Sequence, residues 1–340
     1  MAIRVAINGY GRIGQCVLRA LYESSHRGEI QVVAINELSD IETIAYLTRY
    51  DTTHGRFPLQ ISVKGGQTLC VDGDEISVYR SETPEDLPWK EQKIDVVLEC
   101  TGAFGAREDA MKHIAAGAKR VLFSHPADAE TDVDRTVVFG VNHDSLSEDD
   151  RIVSNASCTT NAIIPVIDAL DRAFGIEAGT LTTIHSAMND QPTIDAYHHH
   201  DLRRTRSAMQ NMVPVDTALA KGVERLLPHM SGKLNAVAIR VPTVNVSALD
   251  LTVYVSKNTD AQAVNDVLAT AASSAYCGVL AYTQEPLASS DFNHDVHSGT
   301  VDGSQTRVSA GSLVKVLTWF DNEWAFANRM LDVTKHWIKA

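Results

Sequence analysis

Cysteine is scarce in this chain and never paired. Cys16, Cys70, Cys100, Cys158 and Cys277 are odd in number and widely spread, with no C-x-x-C among them. That spacing excludes a disulfide framework and a zinc knuckle, and it fits a reducing compartment. Long apolar runs are missing too: none reaches the roughly 18 residues that a membrane span needs. No leader is visible ahead of the strand pattern that begins at Ile3, so a cytoplasmic protein is expected. Positive charge is outweighed, with 30 Lys and Arg against 43 Asp and Glu, a formal net charge of −13. This argues against a nucleic-acid surface and against attraction to anionic membranes, and an anionic ligand would need a local cluster of cations. What is plentiful is apolar side chain, 44% of 340 residues, enough for two domains with cores of their own.

The first half alternates short apolar strands with helical patterns. Residues 3–8 read as a buried strand and run into Gly9-Tyr10-Gly11-Arg12-Ile13-Gly14, a G-x-G-x-x-G that opens a helix. A second strand over 31–36 ends in Glu37. Strand, glycine turn, helix, strand and terminal acid together predict a dinucleotide site. The glycines allow a tight turn and close approach to a pyrophosphate, the helix end faces the phosphates, and the acid accepts from a ribose hydroxyl. A carboxylate at Glu37 repels a 2′-phosphate, which favours NAD. Further strands are expected at 94–99, 120–123, 136–139 and 151–153, and a helix at 107–113 stopped by Gly117. Ligands of an open parallel sheet lie beyond the carboxyl ends of its strands, so Thr101, Gly102 and Ser124 point toward the cofactor. Residues 60–80, with turns at Gly65-Gly66 and Asp72-Gly73, read as an antiparallel excursion.

Cys158 stands in Ser154-Asn155-Ala156-Ser157-Cys158-Thr159-Thr160-Asn161, just ahead of an apolar helical run. A lone cysteine is most often a packing residue. These flanks are capping and hydrogen-bonding residues instead, and they place the sulfur at a helix N-terminus, where amide N–H groups and the dipole favour a thiolate. After it the pattern changes to longer alternating strands at 179–185, 234–241, 249–255 and 313–320, a helix at 261–272 and a closing helix at 322–337. This predicts a mixed or antiparallel sheet with helices on one face. The stretch from Asn189 to about Val215 is irregular. His185 closes a strand and can pair with Cys158, the minimum for thiol chemistry, although a single histidine is more often structural. His198-His199-His200 cannot all face one ion and are read as an exposed loop, so no metal is expected. Arg203, Arg204 and Arg206, with Arg240 at a strand end, form either an anion site or a solvated or subunit-contact loop.

Residues 7–14, 154–161, 182–185, 189–191, 201–204, 240–243 and 319–324, in order and over nearly the whole chain, resemble the glyceraldehyde-3-phosphate dehydrogenase family. The likeness is nearest to the branch that oxidises D-erythrose 4-phosphate, through residues 185–191, 195–198 and 214–217. It implies a Rossmann-type doubly wound α/β nucleotide domain over 1–157, completed by the C-terminal helix 322–340, and an α+β catalytic domain over 158–321. It implies NAD as cofactor, Cys158 as nucleophile and His185 as base. Gly9, Gly11, Arg12, Ile13, Gly14, Glu37, Thr101, Ser124 and Asn322 would bind the cofactor. Ser157, Thr159, Arg204, Thr217 and Arg240 would bind the substrate and a second anion. A homotetramer and a place in pyridoxal 5′-phosphate synthesis are implied as well, while the charge balance and the lack of long apolar runs lead us to expect no nucleic-acid or membrane partner. A rival reading is the phosphorylating triose enzyme, and a further one is a nucleotide-binding sensor without turnover. Three departures separate this chain from phosphorylating members: Met188 in place of a threonine, Val215-Asp216-Thr217-Ala218 in place of small donors and a glycine, and Ala162 in place of a second cysteine.

Overall fold

The computed structural model describes residues 2–197 and 201–339. The chain divides into two compact units, Met1–Ser157 with Phe326–Ala340, and Cys158–Ala325. No helix among the described residues is long and apolar enough to cross a membrane.

The first unit opens with β1 (Ile3–Asn8), α1 (Arg12–Glu23), β2 (Ile30–Asn36) and α2 (Ile41–Arg49), followed by a two-residue hairpin, β3 (Tyr50–Asp51) and β4 (Gly55–Arg56). Then come β5 (Ile61–Lys64), β6 (Thr68–Val71), β7 (Asp74–Tyr79), α3 (Trp89–Gln92), β8 (Val96–Glu99), α4 (Arg107–Ala115), β9 (Arg120–Phe123), β10 (Arg135–Thr136) and β11 (Ile152–Ser154). Nine strands form one sheet in the order β10-β11-β9-β8-β1-β2-β7-β6-β5. The chain goes from β1 outward to β2 and later returns to β8 on the other side, so the strand order reverses at β1. The loops after β1 and β8 flank that switch point, the place where an open α/β sheet receives a ligand. All pairs from β10 to β7 are parallel, and the strands are apolar because both faces are covered. Val5, Ile7, Val97, Leu98, Val121 and Leu122 are fully buried.

Two expectations are corrected here. The excursion at 60–80 is antiparallel, but β7 pairs in parallel with β2 and so extends the main sheet. The strand expected at 136–139 stops at Thr136: Val137 N still donates to Ser154 O of β11 at 2.8 Å, but Val138 N turns to the Asn142 side chain, and both residues are buried.

The second unit begins with α5 (Cys158–Phe174) and β12 (Ile176–His185), then β13 (Val213–Val215), α6 (Leu219–Leu226), β14 (Leu234–Arg240), β15 (Ser247–Val255) and α7 (Ala261–Ser273). It continues through β16 (Leu280–Thr283), β17 (Gly299–Ser309) and β18 (Leu313–Phe320), and the chain then enters α8 (Trp324–Lys339), which from Phe326 on belongs to the first unit. The sheet is mixed, β13-β14-β12-β15-β18-β17-β16. Helix α5 is buried on almost every side from Thr160 to Leu170 and includes Pro165. Helices α6 and α7 both pack on it. Sequence patterning missed α6, β16 and the eleven-residue β17. That strand is polar, contains Gly303, and shifts register between Asp302 and Arg307, so no clean alternation marks it. Among its described residues, the irregular stretch at 189–215 contains β13 and a short 3-10 turn at Arg203–Thr205.

Candidate active site

Cys158 is the first residue of α5, half-buried. The chain enters this helix through Ala156 at φ 56, a left-handed conformation that costs a non-glycine residue energy and aims the next residues sharply. The Ser154 hydroxyl supports the turn by accepting from Ala156 N at 3.1 Å. His185 is the last residue of β12, and its Nε2 lies 3.9 Å from Cys158 Sγ. Its Nδ1 lies 2.8 Å from the Ser186 carbonyl oxygen. A carbonyl can only accept, so Nδ1 carries the proton and the neutral ring presents its Nε2 lone pair to sulfur.

The ionisation of this pair differs from expectation. Burial pushes the Cys158 thiol up to about 11, the N–H groups of Thr159 and Cys158 pull it back, and the carboxylates of Asp321 and Glu323 add to the rise. Burial lowers the imidazole of His185; the Ser186 carbonyl opposes this and the Arg240 charge adds to it. Both shifts favour thiol and neutral imidazole at rest, against the pull toward a thiolate that the helix end exerts. The helix end contributes, but removing charge from water outweighs it.

The sheet gathers the other groups. Strands β12 and β14 run in parallel with His185 opposite Arg240, and β13 pairs with β14 so that Val213 also faces Arg240. Arg240 is buried at 7% exposure and its Nη1 lies 2.5 Å from Asp190 Oδ1. The other oxygen of Asp190 lies 3.1 Å from Arg204 Nη1, and Arg204 Nε lies 3.4 Å from Asp201. One carboxylate thus links the two arginines that sequence reasoning grouped as an anion site. Arg203 and Arg206 are elsewhere in the loop, and Arg206 pairs with Asp195 at 2.8 Å.

Asn322 follows β18 and accepts through Oδ1 from the hydroxyls of Ser186 at 3.1 Å and Ser247 at 2.9 Å. Buried Asp321 beside it accepts from the N–H groups of Glu323 and Trp324 at 3.0 and 2.8 Å, which fixes the start of α8. Ser157 and Thr159 flank the sulfur in sequence. Thr217 Oγ1 accepts from Leu219 N at 3.2 Å in the turn that leads into α6. Met188 and Asp216 are exposed, Val215 is half-buried, and Ala162 is buried one turn into α5.

In the first unit, Gly9 turns at φ +87, and a Cβ there would sit 2.6 Å from Thr101 N, so the β1 loop packs directly on the loop after β8. A Cβ on Gly11 would meet nothing within 4 Å, which leaves open backbone at the start of α1, as a pyrophosphate requires. Gly14 lies close under Gly9: its Cβ would come within 2.3 Å of Gly9 O. Glu37 accepts from Tyr10 N, Leu38 N and, at longer range, Ser39 N, at 2.8, 2.8 and 3.3 Å. It therefore braces the glycine turn while keeping acceptor capacity for a ribose hydroxyl. Thr101 gives both its N–H, at 2.8 Å, and its hydroxyl to Glu99 Oε1. Buried Glu99 in turn accepts from Asn8 and lies 3.1 Å from His113 Nε2. Arg12 is ion-paired with Asp51, Ile13 is half-buried in the first turn of α1, and Ser124 N donates to Glu99 O at 3.0 Å.

The run His198-His199-His200 lies outside the described residues. Elsewhere, His143, Asp144 and His336 approach one another, but Gly140 N donates to His143 Nδ1 at 3.1 Å. That tautomer puts the proton on His143 Nε2, the atom turned to the cluster, and is the wrong one for a metal ligand. Sequence reasoning missed Asp190, Ser186, Ser247, Asp321 and Glu99. Asp190 alone gave a signal, as a carboxylate in the segment ahead of the arginines.

Models of two protein domains match this chain. Residues 3–107 match the glyceraldehyde 3-phosphate dehydrogenase NAD-binding domain, and residues 157–322 match the glyceraldehyde 3-phosphate dehydrogenase C-terminal domain.

Proposed function

The chain belongs to the glyceraldehyde-3-phosphate dehydrogenase family and uses NAD, and we propose that it oxidises D-erythrose 4-phosphate to 4-phospho-D-erythronate through a Cys158 thioester that water resolves. In this reading the product feeds pyridoxal 5′-phosphate synthesis. The observation that carries the chemistry is the 3.9 Å approach of Cys158 Sγ to His185 Nε2, with Nδ1 held by Ser186.

His185 takes the thiol proton as sulfur attacks the aldehyde carbon. The N–H groups at the start of α5 and the new imidazolium stabilise the oxyanion, which then takes the proton back as a hemithioacetal hydroxyl. Bound NAD supplies the hydride acceptor. As hydride leaves carbon, neutral His185 removes the hydroxyl proton, and a thioester remains on Cys158. The imidazolium gives that proton up to solvent; neutral His185 then takes a proton from a water molecule as it attacks the thioester carbonyl and passes it to the departing sulfur, which releases the acid and restores the thiol. Arg240 grips the substrate phosphate, and Arg204, Ser157, Thr159 and Thr217 form the second anion site. Gly9, Gly11, Arg12, Ile13, Gly14, Glu37 and Thr101 line the dinucleotide, and Ser124 and Asn322 hold the nicotinamide.

Water is favoured over phosphate by the turn at 215–218. There an exposed carboxylate, Asp216, and two aliphatic residues, Val215 and Ala218, lead into α6, a helix packed on α5. An acid disfavours a second anion at that turn, and exposed Met188 offers no hydroxyl to one. A homotetramer is supported by the family and by the exposed apolar side chains of Val237 and Tyr254 on β14 and β15. The test is NAD reduction with the four-carbon and the three-carbon aldehyde phosphate, each with and without inorganic phosphate.

A further inference from the structure

Ser186, Ser247 and Asn322 are 61 and 75 residues apart in sequence, yet they form one hydrogen-bonded cluster. Ser186 and Ser247 are buried, at 0% and 1% exposure. Ser247 Oγ accepts from Ser186 N at 3.0 Å, so its own proton must find an acceptor. The Asn322 side-chain oxygen, 2.9 Å away, provides it. Were the amide turned over, Ser247 Oγ could accept a second N–H on its other lone pair, but its own proton would lose the acceptor it has in Asn322 Oδ1. The Ser186 hydroxyl donates to the same amide oxygen at 3.1 Å. Two hydroxyl donors converging on one oxygen favour the orientation with Nδ2 turned away from both serines.

The surroundings hold the cluster rigidly. Asn245, two residues before Ser247, donates to Asp321 Oδ2 at 2.9 Å, one residue before Asn322. The segments 245–247 and 321–322 are thus tied together twice in succession. Between the two ties, Val246 adopts φ 63, an outlier for a β-branched residue that persists only where neighbours over-determine it. Ser186 also serves His185, since its carbonyl oxygen takes the Nδ1 proton at 2.8 Å.

We propose that Ser186 and Ser247 are positioning residues that lock the Asn322 amide with its NH2 group outward, so that Asn322 presents a donor, and no acceptor, to a carbonyl such as that of the nicotinamide carboxamide. Through its backbone, Ser186 couples this lock to the tautomer of the catalytic base. The inference rests on the reading of Asn322 as a nicotinamide contact.

Dissociation constants for NAD and for ADP-ribose, which lacks the nicotinamide, measured by calorimetry on the full-length protein, separate the two ideas. Ser186→Ala removes one hydroxyl and keeps the backbone groups. With Ser247→Ala it removes both donors. The expected result is a graded loss of NAD affinity, severalfold for the single variant and about tenfold or more for the double, with ADP-ribose binding unchanged. Asn322→Asp, which replaces the donor by an acceptor, loses at least as much. Ser247→Thr, which keeps a hydroxyl, retains NAD affinity if it folds, and the single Ser186→Ala variant decides if it does not. Equal weakening of both ligands, or no change for either in the serine variants while Asn322→Asp loses NAD, overturns the lock. If Asn322→Asp leaves NAD binding intact, the reading of Asn322 itself fails and takes the lock with it.

Discussion

His185 turns a lone pair toward Cys158 because its other ring nitrogen is committed: Nδ1 donates to the Ser186 carbonyl oxygen at 2.8 Å, and Nε2 lies 3.9 Å from sulfur. Burial raises the thiol to about 11 and lowers the imidazole, and both shifts favour the uncharged pair. The free protein should therefore react with iodoacetamide at a rate that climbs about tenfold per pH unit from pH 6 to pH 9, as thiolate forms. A rate that is flat below pH 7 would show a thiolate–imidazolium pair and contradict this assignment.

Removing either member should stop turnover by different amounts. Cys158→Ala eliminates the covalent route, so NAD reduction should fall to background while NAD still binds. His185→Ala keeps the nucleophile and loses the base, with an expected drop of roughly 10²–10⁴ in kcat. Steady-state rates beside NAD titrations check both. Full activity in Cys158→Ala would leave a non-catalytic role for the thiol.

Asp190 neutralises two arginines together, with contacts of 2.5 Å to Arg240 and 3.1 Å to Arg204. Asp190→Asn removes the carboxylate the two arginines share and leaves Asp201 beside Arg204 alone. The carboxylate is 38% exposed at its side chain, so solvent screens the pair and the expected destabilisation is only about 1–2 kcal/mol. Inorganic phosphate should at the same time compete with the aldose phosphate about fivefold more tightly, equivalent to ~1 kcal/mol. Thermal unfolding and phosphate inhibition constants measure the two effects, and unchanged inhibition would remove Asp190 from the control of anion binding.

The glycines of the β1 loop separate folding from cofactor binding. Gly9→Ala places a Cβ 2.6 Å from Thr101 N at φ +87 and should destabilise the protein by roughly 1–3 kcal/mol. Gly11→Ala meets no atom within 4 Å and should unfold at the parent temperature, yet bind NAD at least tenfold more weakly, because the methyl group occupies the approach to the backbone. Differential scanning calorimetry and NAD titration distinguish them.

The features readable in the sequence are those whose chemistry is local. The glycine turn, the capping residues around Cys158 and the apolar parallel strands each lie within one short segment. Strand β17 was hidden because its polar residues and the register shift after Asp302 obscure the two-residue period. The ionisation of Cys158 is only half legible for a related reason. A helix end is visible in sequence, but the burial that outweighs it depends on the fold. Pairings such as Asp190 with Arg240 and Ser247 with Asn322 span 50 and 75 residues and exist only once β12, β14, β15 and β18 are side by side.

The most direct measurement follows NADH formation with D-erythrose 4-phosphate and with D-glyceraldehyde 3-phosphate, in phosphate-free buffer and again with added inorganic phosphate. Water as the acceptor predicts that the four-carbon aldehyde turns over at full rate without phosphate, gives 4-phosphoerythronate, and is preferred in kcat/KM. A strict requirement for phosphate, with clear preference for the three-carbon aldehyde, would contradict the account and return the chain to phosphorylating chemistry.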